Sequence, residues 1–143
     1  MNSQELFLKL VAQLRMIQIA YQAAHHNVKG SLFFADHGAL GGFYDELQGE
    51  YDRAAEKYVS LYGSYSIAQV MQMVMTMMQG LPSGDVKENK EQFVALLAKE
   101  KEVSSMVDTL CRQGGFSEGD KNLLADIGTK SGSRQYLIKQ RIK

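Results

Sequence analysis

Residues 24–63 read AHHNVKGSLFFADHGALGGFYDELQGEYDRAAEKYVSLYG, and this stretch holds every histidine of the chain. His25, His26 and His37 fall within a 13-residue window where one helical pattern ends, near Asn27 to Gly30, and another begins. The second pattern runs from about Ala35 to Leu61, with Leu40, Phe43, Tyr44, Leu47, Tyr51 and Ala54 on its apolar face. Asp52 and Glu56 stand four residues apart on it and so share one side of the helix. Imidazoles with carboxylates suit iron or zinc. The same residues equally suit a turn capped by histidines and a solvated acidic face, and spacing alone leaves both readings open.

A metal site built from both groups needs two chains. Asp52 and Glu56 lie 15 and 19 residues beyond His37, roughly 22 to 28 Å along one helix at a rise of about 1.5 Å per residue. A second copy running in the opposite direction, as a two-fold dimer supplies, closes that gap. The Glu-x-x-His pairs of a conventional di-iron bundle are absent from the sequence.

Outward from this stretch the chain reads as helix throughout. It contains one proline, Pro82, and is rich in residues that lose little on entering a helix. A first helix, capped by Ser3, carries Phe7, Leu10, Leu14, Ile17, Tyr21 and Ala24 at alternating three- and four-residue steps. A short apolar helix from Ile67 to Gln79 is stopped by Gly80 and Pro82, and its methionines, Met71, Met73, Met75, Met77 and Met78, read as packing residues. A third long helix from Asp85 to Arg112 presents Phe93, Leu96, Leu97, Val103, Val107 and Leu110, and Gly114 and Gly115 end it. Ser117 and Asp120 open a fourth in the manner of a capping box, with Leu123, Leu124, Ile127, Tyr136 and Leu137 as its apolar side. The expectation is an all-α, four-helix bundle with a short extra helix between the second and third long helices, formed by residues 1–143 as one domain.

Composition narrows the function classes. Sixteen basic residues balance sixteen acidic ones, so no global field draws the chain to nucleic acid. Local basic character is confined to Lys130, Arg134, Lys139, Arg141 and Lys143 near the end, which suit either DNA phosphates or the helix dipole. The lone Cys111 rules out a disulfide framework. No apolar run reaches the length of a membrane span and the first residues show no leader pattern, so a soluble, cytoplasmic protein is expected.

The order and spacing of Ala24 to Gly63, with His25, Asn27, Val28, Lys29, Gly30, Phe33, His37, Phe43, Asp52, Ala55 and Glu56, resemble the Dps proteins, small ferritins associated with DNA protection during starvation. In that family a helix-ending His and a second His twelve residues on supply metal ligands from one subunit. An Asp and a Glu four residues apart on the next helix supply them from its neighbour. The resemblance therefore implies His25, His37, Asp52 and Glu56 as ligands for iron, with zinc as a substitute. It implies ferroxidase activity with peroxide or oxygen, storage of ferric iron in a dodecameric homo-oligomer, and weak DNA binding as an optional addition.

Two positions depart from the pattern. Gly41 stands where the family has an Asp four residues after the second His, and His26 stands where it has Trp. Asp36 and Asp45 are the candidate replacements, and an Asp restored at position 41 is expected to fit a helical backbone. The loss favours an alternative in which the chain is a non-catalytic shell protein with a degraded metal site.

Overall fold

The computed structural model describes residues 1–83 and 86–143. Five helices follow in order: α1 (Ser3–Asn27), α2 (Phe33–Tyr62), α3 (Ile67–Met77), α4 (Asn89–Gln113) and α5 (Glu118–Arg141). The expected start at Asp85 lies outside the described residues. α1 begins one residue earlier than its sequence suggests: Asn2 is the cap, its side chain accepting from the Glu5 amide at 2.8 Å, while Ser3 donates to Gln113. Asn and Ser cap almost equally well. The choice falls to Asn2 because Glu5, three positions on, reaches back to the Asn2 amide.

α1 is the central element, packed along α2, α4 and α3, while α4 lies along α5. All six residues of its expected stripe, Phe7 to Ala24, are buried. Transferring such side chains from water contributes about 1.5–3 kcal/mol each. α3, capped by Ser66, closes one end with Val70 and Val74, and Met71, Met73 and Met77 with the C-cap Met78 pack half-buried against the core. Packing is thus the role of these methionines, apart from Met75, which is exposed.

α5 departs from its expected face. Tyr136 and Leu137 are exposed, and the inward positions are Leu124, Ile127, Ser131, Arg134 and Ile138. Those positions keep alternating three- and four-residue steps, but two carry polar side chains. Arg134, expected among surface cations, is instead 1% exposed in the bundle centre. Its guanidinium donates to Glu50 on α2 and Glu100 on α4, and one nitrogen also reaches the half-exposed Glu46. Tyr21 from α1 and Ser131 donate to the same Glu100 carboxylate.

Another buried carboxylate ties the other end together. Asp36, 2% exposed, accepts from Arg141 through both oxygens, at 2.8 and 2.9 Å, and from Asn89 at 2.9 Å. The Arg141 hydrogen bonds hold its carboxyl below the usual carboxylate range. A folded-state pKa lowered in this way adds stability above the unfolded value of about 3.9, and that stability is lost as pH falls through the folded value. Asp36→Ala is expected to cost roughly 1.5–3 kcal/mol at neutral pH, the usual contribution of hydrogen bonds to a charged group. Urea denaturation at pH 7 and pH 3 checks this, the deficit shrinking at the lower pH.

Candidate metal centre

The turn after α1 brings His25 and His37 face to face. Gly30, at φ 84°, reverses the chain in the left-handed region that favours glycine, and Phe33 then opens α2. The two imidazoles stack with centroids 3.6 Å apart and 18° between planes, and Phe33 covers the other face of His37 at 4.7 Å. Nδ1 of His25 lies 2.6 Å from the His37 carbonyl oxygen, and Nδ1 of His37 lies 2.8 Å from that of His25. A carbonyl oxygen can only accept, so both Nδ1 atoms carry the proton. In the neutral form each ring then keeps its lone pair on Nε2, the arrangement in which a metal-ligating histidine is oriented by a hydrogen bond from its other nitrogen.

Gly41 completes the packing of this pair. A Cβ at position 41 would lie 2.9 Å from His25 Cε1 and 3.1 Å from His25 Nδ1. The ring occupies the room that any side chain would need. An Asp at 41 would fit the helical backbone as expected, but it would enter only by displacing the His25 imidazole. Asp36 does not stand in for a missing carboxylate either, because both its oxygens are engaged by Arg141 and Asn89. Asp45 is exposed and His26 lies on the surface beside His25.

Asp52 and Glu56 are exposed toward the other end of α2 and line an open groove of about 570 Å³ with Arg15, Tyr51, Val59 and Tyr65. Neither forms an ion pair among the described residues. Within one chain, and among the described residues, no three His, Cys, Asp or Glu side chains converge on a point. At about 100° per residue, His37, Gly41, Asp52 and Glu56 nevertheless fall within roughly a 100° arc of α2. The histidines occupy one end of that strip and the carboxylates the other.

The basic end of the chain is less available than its sequence suggests. Arg134 is buried and Arg141 is engaged by Asp36, so neither is free to meet phosphates; Lys130 pairs with Asp126 at 3.4 Å. Of the five, Lys139 and Lys143 are exposed without an ion pair among the described residues. Sequence reading also missed the Arg134 network. The available signal was a basic residue on the same three- and four-residue progression as Leu124 and Ile127.

No protein-family model matches the chain, and no curated protein sequence matches it. Its fold, however, has close counterparts among solved structures. Dps from Microbacterium arborescens in its high iron form superposes with a TM-score of 0.86 at 17% identity, over 98% of this chain and 91% of that one. Dps from Vibrio cholerae O1, described as one of a broad superfamily of ferritin-like diiron-carboxylate proteins, gives 0.84 at 17% identity, over 99% and 89%. Two histidine-to-glycine mutants of Listeria innocua Dps give 0.84 at 16% and 15% identity, over 99% of this chain and 96% and 94% of theirs. The chain has the ferritin-like four-helix fold of the Dps proteins. Among its described residues, no helix is long and apolar enough to cross a membrane.

Proposed function

We propose that two copies of this chain assemble a site for Fe(II), oxidise it with peroxide or oxygen, and hold the ferric product within a homo-oligomeric shell. The observation that carries this reading is the His25–His37 pair, whose carbonyl contacts leave two oriented Nε2 atoms with no hydrogen-bond partner among the described residues. A two-fold axis crossing α2 between Glu46 and Leu47 would set His37 level with Glu56 of the second copy and Gly41 level with its Asp52. The exposed Gly38, Gly42 and Gly49 leave that face of α2 bare enough for close approach.

Two neutral imidazoles and two carboxylates fit Fe(II), with Zn(II) as a substitute. His25 and His37 would hold the ferrous ion, while Asp52 and Glu56 would supply hard anionic oxygens that favour the ferric state. Relatives of the same fold support this reading: one was solved in a high iron form, and the two Listeria innocua mutants alter positions twelve residues apart, as His25 and His37 are. A dodecamer is the assembly proposed from this fold. DNA affinity, if carried by Lys139 and Lys143, would be sequence-independent and fall steeply with salt.

One observation favours the non-catalytic alternative: the position where a further carboxylate would stand is filled by the His25 ring. Mixed dimers test the site. His37→Ala and Glu56→Ala chains should each lose Fe(II) and Zn(II) binding alone, and a heterodimer of the two should regain one intact site of its two. Isothermal titration provides the measurement, and a heterodimer that binds no metal while both parents fold and assemble refutes the two-chain site. Ferric absorbance after adding peroxide to the loaded protein then separates oxidation from binding alone.

A further inference from the structure

The groove beside Asp52 and Glu56 contains two phenols that metal binding does not use. Tyr51, 8% exposed, and the half-buried Tyr65 place their hydroxyls 3.2 Å apart. Tyr65 meets the Tyr58 ring edge-on at 6.3 Å, and Tyr58 lies 5.1 Å from Tyr62. Tyr58 in turn lines a second opening of about 580 Å³ with Gln4, Gln69 and Met73, where its hydroxyl accepts from Gln4 at 3.4 Å. A continuous series of phenols thus links one surface groove to another. Phenylalanine would pack as well at 51 and 65, and a hydroxyl withdrawn from water costs free energy unless it is hydrogen-bonded.

We propose that Tyr51, Tyr65 and Tyr58 form a redox relay that carries one-electron oxidising equivalents from the Asp52–Glu56 groove to the second groove. The relay rests on the metal reading above only for the source of the oxidant, a hydroxyl radical formed when Fe(II) gives one electron to hydrogen peroxide. That radical takes a hydrogen atom from the Tyr51 hydroxyl, leaving water and a neutral tyrosyl radical. A hydrogen atom then crosses the 3.2 Å contact from Tyr65, restoring Tyr51 and moving the radical to Tyr65. Tyr58 next gives an electron to Tyr65; the Tyr58 proton leaves to water in the second groove, and Tyr65 regains one from water in the first. A soluble thiol closes the sequence by donating the hydrogen atom of its S–H to Tyr58, leaving as a thiyl radical.

The surroundings give this path a direction. The Arg15 guanidinium lies 5.1 Å from the Tyr51 ring centroid. A cation over the ring face stabilises the intact phenol and opposes loss of an electron from it, so the oxidising equivalent is pushed from Tyr51 toward Tyr65.

The test needs no metal. A full-length Cys111→Ser, Glu56→Cys chain is labelled at position 56 with a ruthenium polypyridyl photo-oxidant, flashed with an electron acceptor present, and its oxidation products are mapped by mass spectrometry. Products are expected at Tyr58 and the neighbouring Met73, and Tyr65→Phe, which keeps the ring, should abolish them and confine oxidation to Tyr51. Tyr58 products that persist unchanged in Tyr65→Phe overturn the relay, as does oxidation confined to Tyr51 in the parent chain. Unlabelled native protein given Fe(II) and peroxide forms a parallel arm. If Tyr58 is oxidised in the light but not by iron and peroxide, the relay stands and the metal reading fails.

Discussion

Arg134→Ala is expected to cost about 3–5 kcal/mol, the usual penalty for removing one partner of a buried charge pair. The arginine uses its Nε and both terminal nitrogens on Glu50, Glu100 and Glu46, and both it and the two deeper carboxylates are almost completely buried. Glu100 also accepts from Tyr21 and Ser131. Two carboxylates against one guanidinium leave the centre one negative charge in excess, and burial raises the pKa of Glu50 despite the arginine. Without Arg134 both carboxylates face a dry bundle with no cation, and the pKa of Glu50 rises further.

A group whose folded pKa is raised contributes its stability below the unfolded value of about 4.3 and loses it as pH climbs through the folded value. The Arg134→Ala protein should therefore recover part of its deficit on acidification. Urea denaturation of parent and variant at pH 7 and pH 5 measures both effects. A loss below about 1 kcal/mol would place the network in the class of surface ion pairs and contradict its burial. Replacing Glu50, Glu100 and Arg134 together with apolar residues of similar volume should be far less costly, because no charge is then left alone.

Where the sequence could be read, the reason is local periodicity. The stripe from Phe7 to Ala24 is apolar at each of its steps, so α1 and that stripe follow from spacing alone, although α1 also buries Gln13 and Gln18 outside it. α5 defeats the same rule because Ser131 and Arg134 occupy inward steps. Their partners lie 31 to 88 residues away in the chain, a distance no periodicity spans. Tyr136 and Leu137 then look like the apolar side when they are the outer one. The candidate site divides in the same way: the window holding His25 and His37 and the four-residue step from Asp52 to Glu56 are visible in order. The reciprocal Nδ1 contacts are not, since they depend on how tightly the turn after α1 closes. Gly41 reads in sequence as a missing carboxylate, and only the packed rings show that its emptiness is used.

Filling that space is expected to weaken metal binding, whichever side chain does it. Gly41 does not have a positive φ, so Gly41→Ala meets no backbone obstacle, and removing a glycine from a helix interior should add up to about 1 kcal/mol of stability. The new Cβ would stand 2.9 Å from His25 Cε1, and His25 has little freedom to yield. Its ring is held by the His37 carbonyl at 2.6 Å on one edge and by the His37 ring at 3.6 Å on one face. Displacing it breaks the contact that orients Nε2, and loss of such an orienting partner lowers metal affinity by roughly 10–100-fold. The loss of affinity should therefore exceed any change in stability, which separates this effect from general damage to the fold. Gly41→Asp introduces the same Cβ and is expected to lose affinity as well, since the carboxylate arrives only by displacing an imidazole. Zn(II) and Fe(II) titrations alongside urea denaturation of the parent, Gly41→Ala and Gly41→Asp decide the matter. Tighter binding by Gly41→Asp than by the parent would mean that the site lacks a carboxylate after all, and that the His25 ring can leave position 41 without loss.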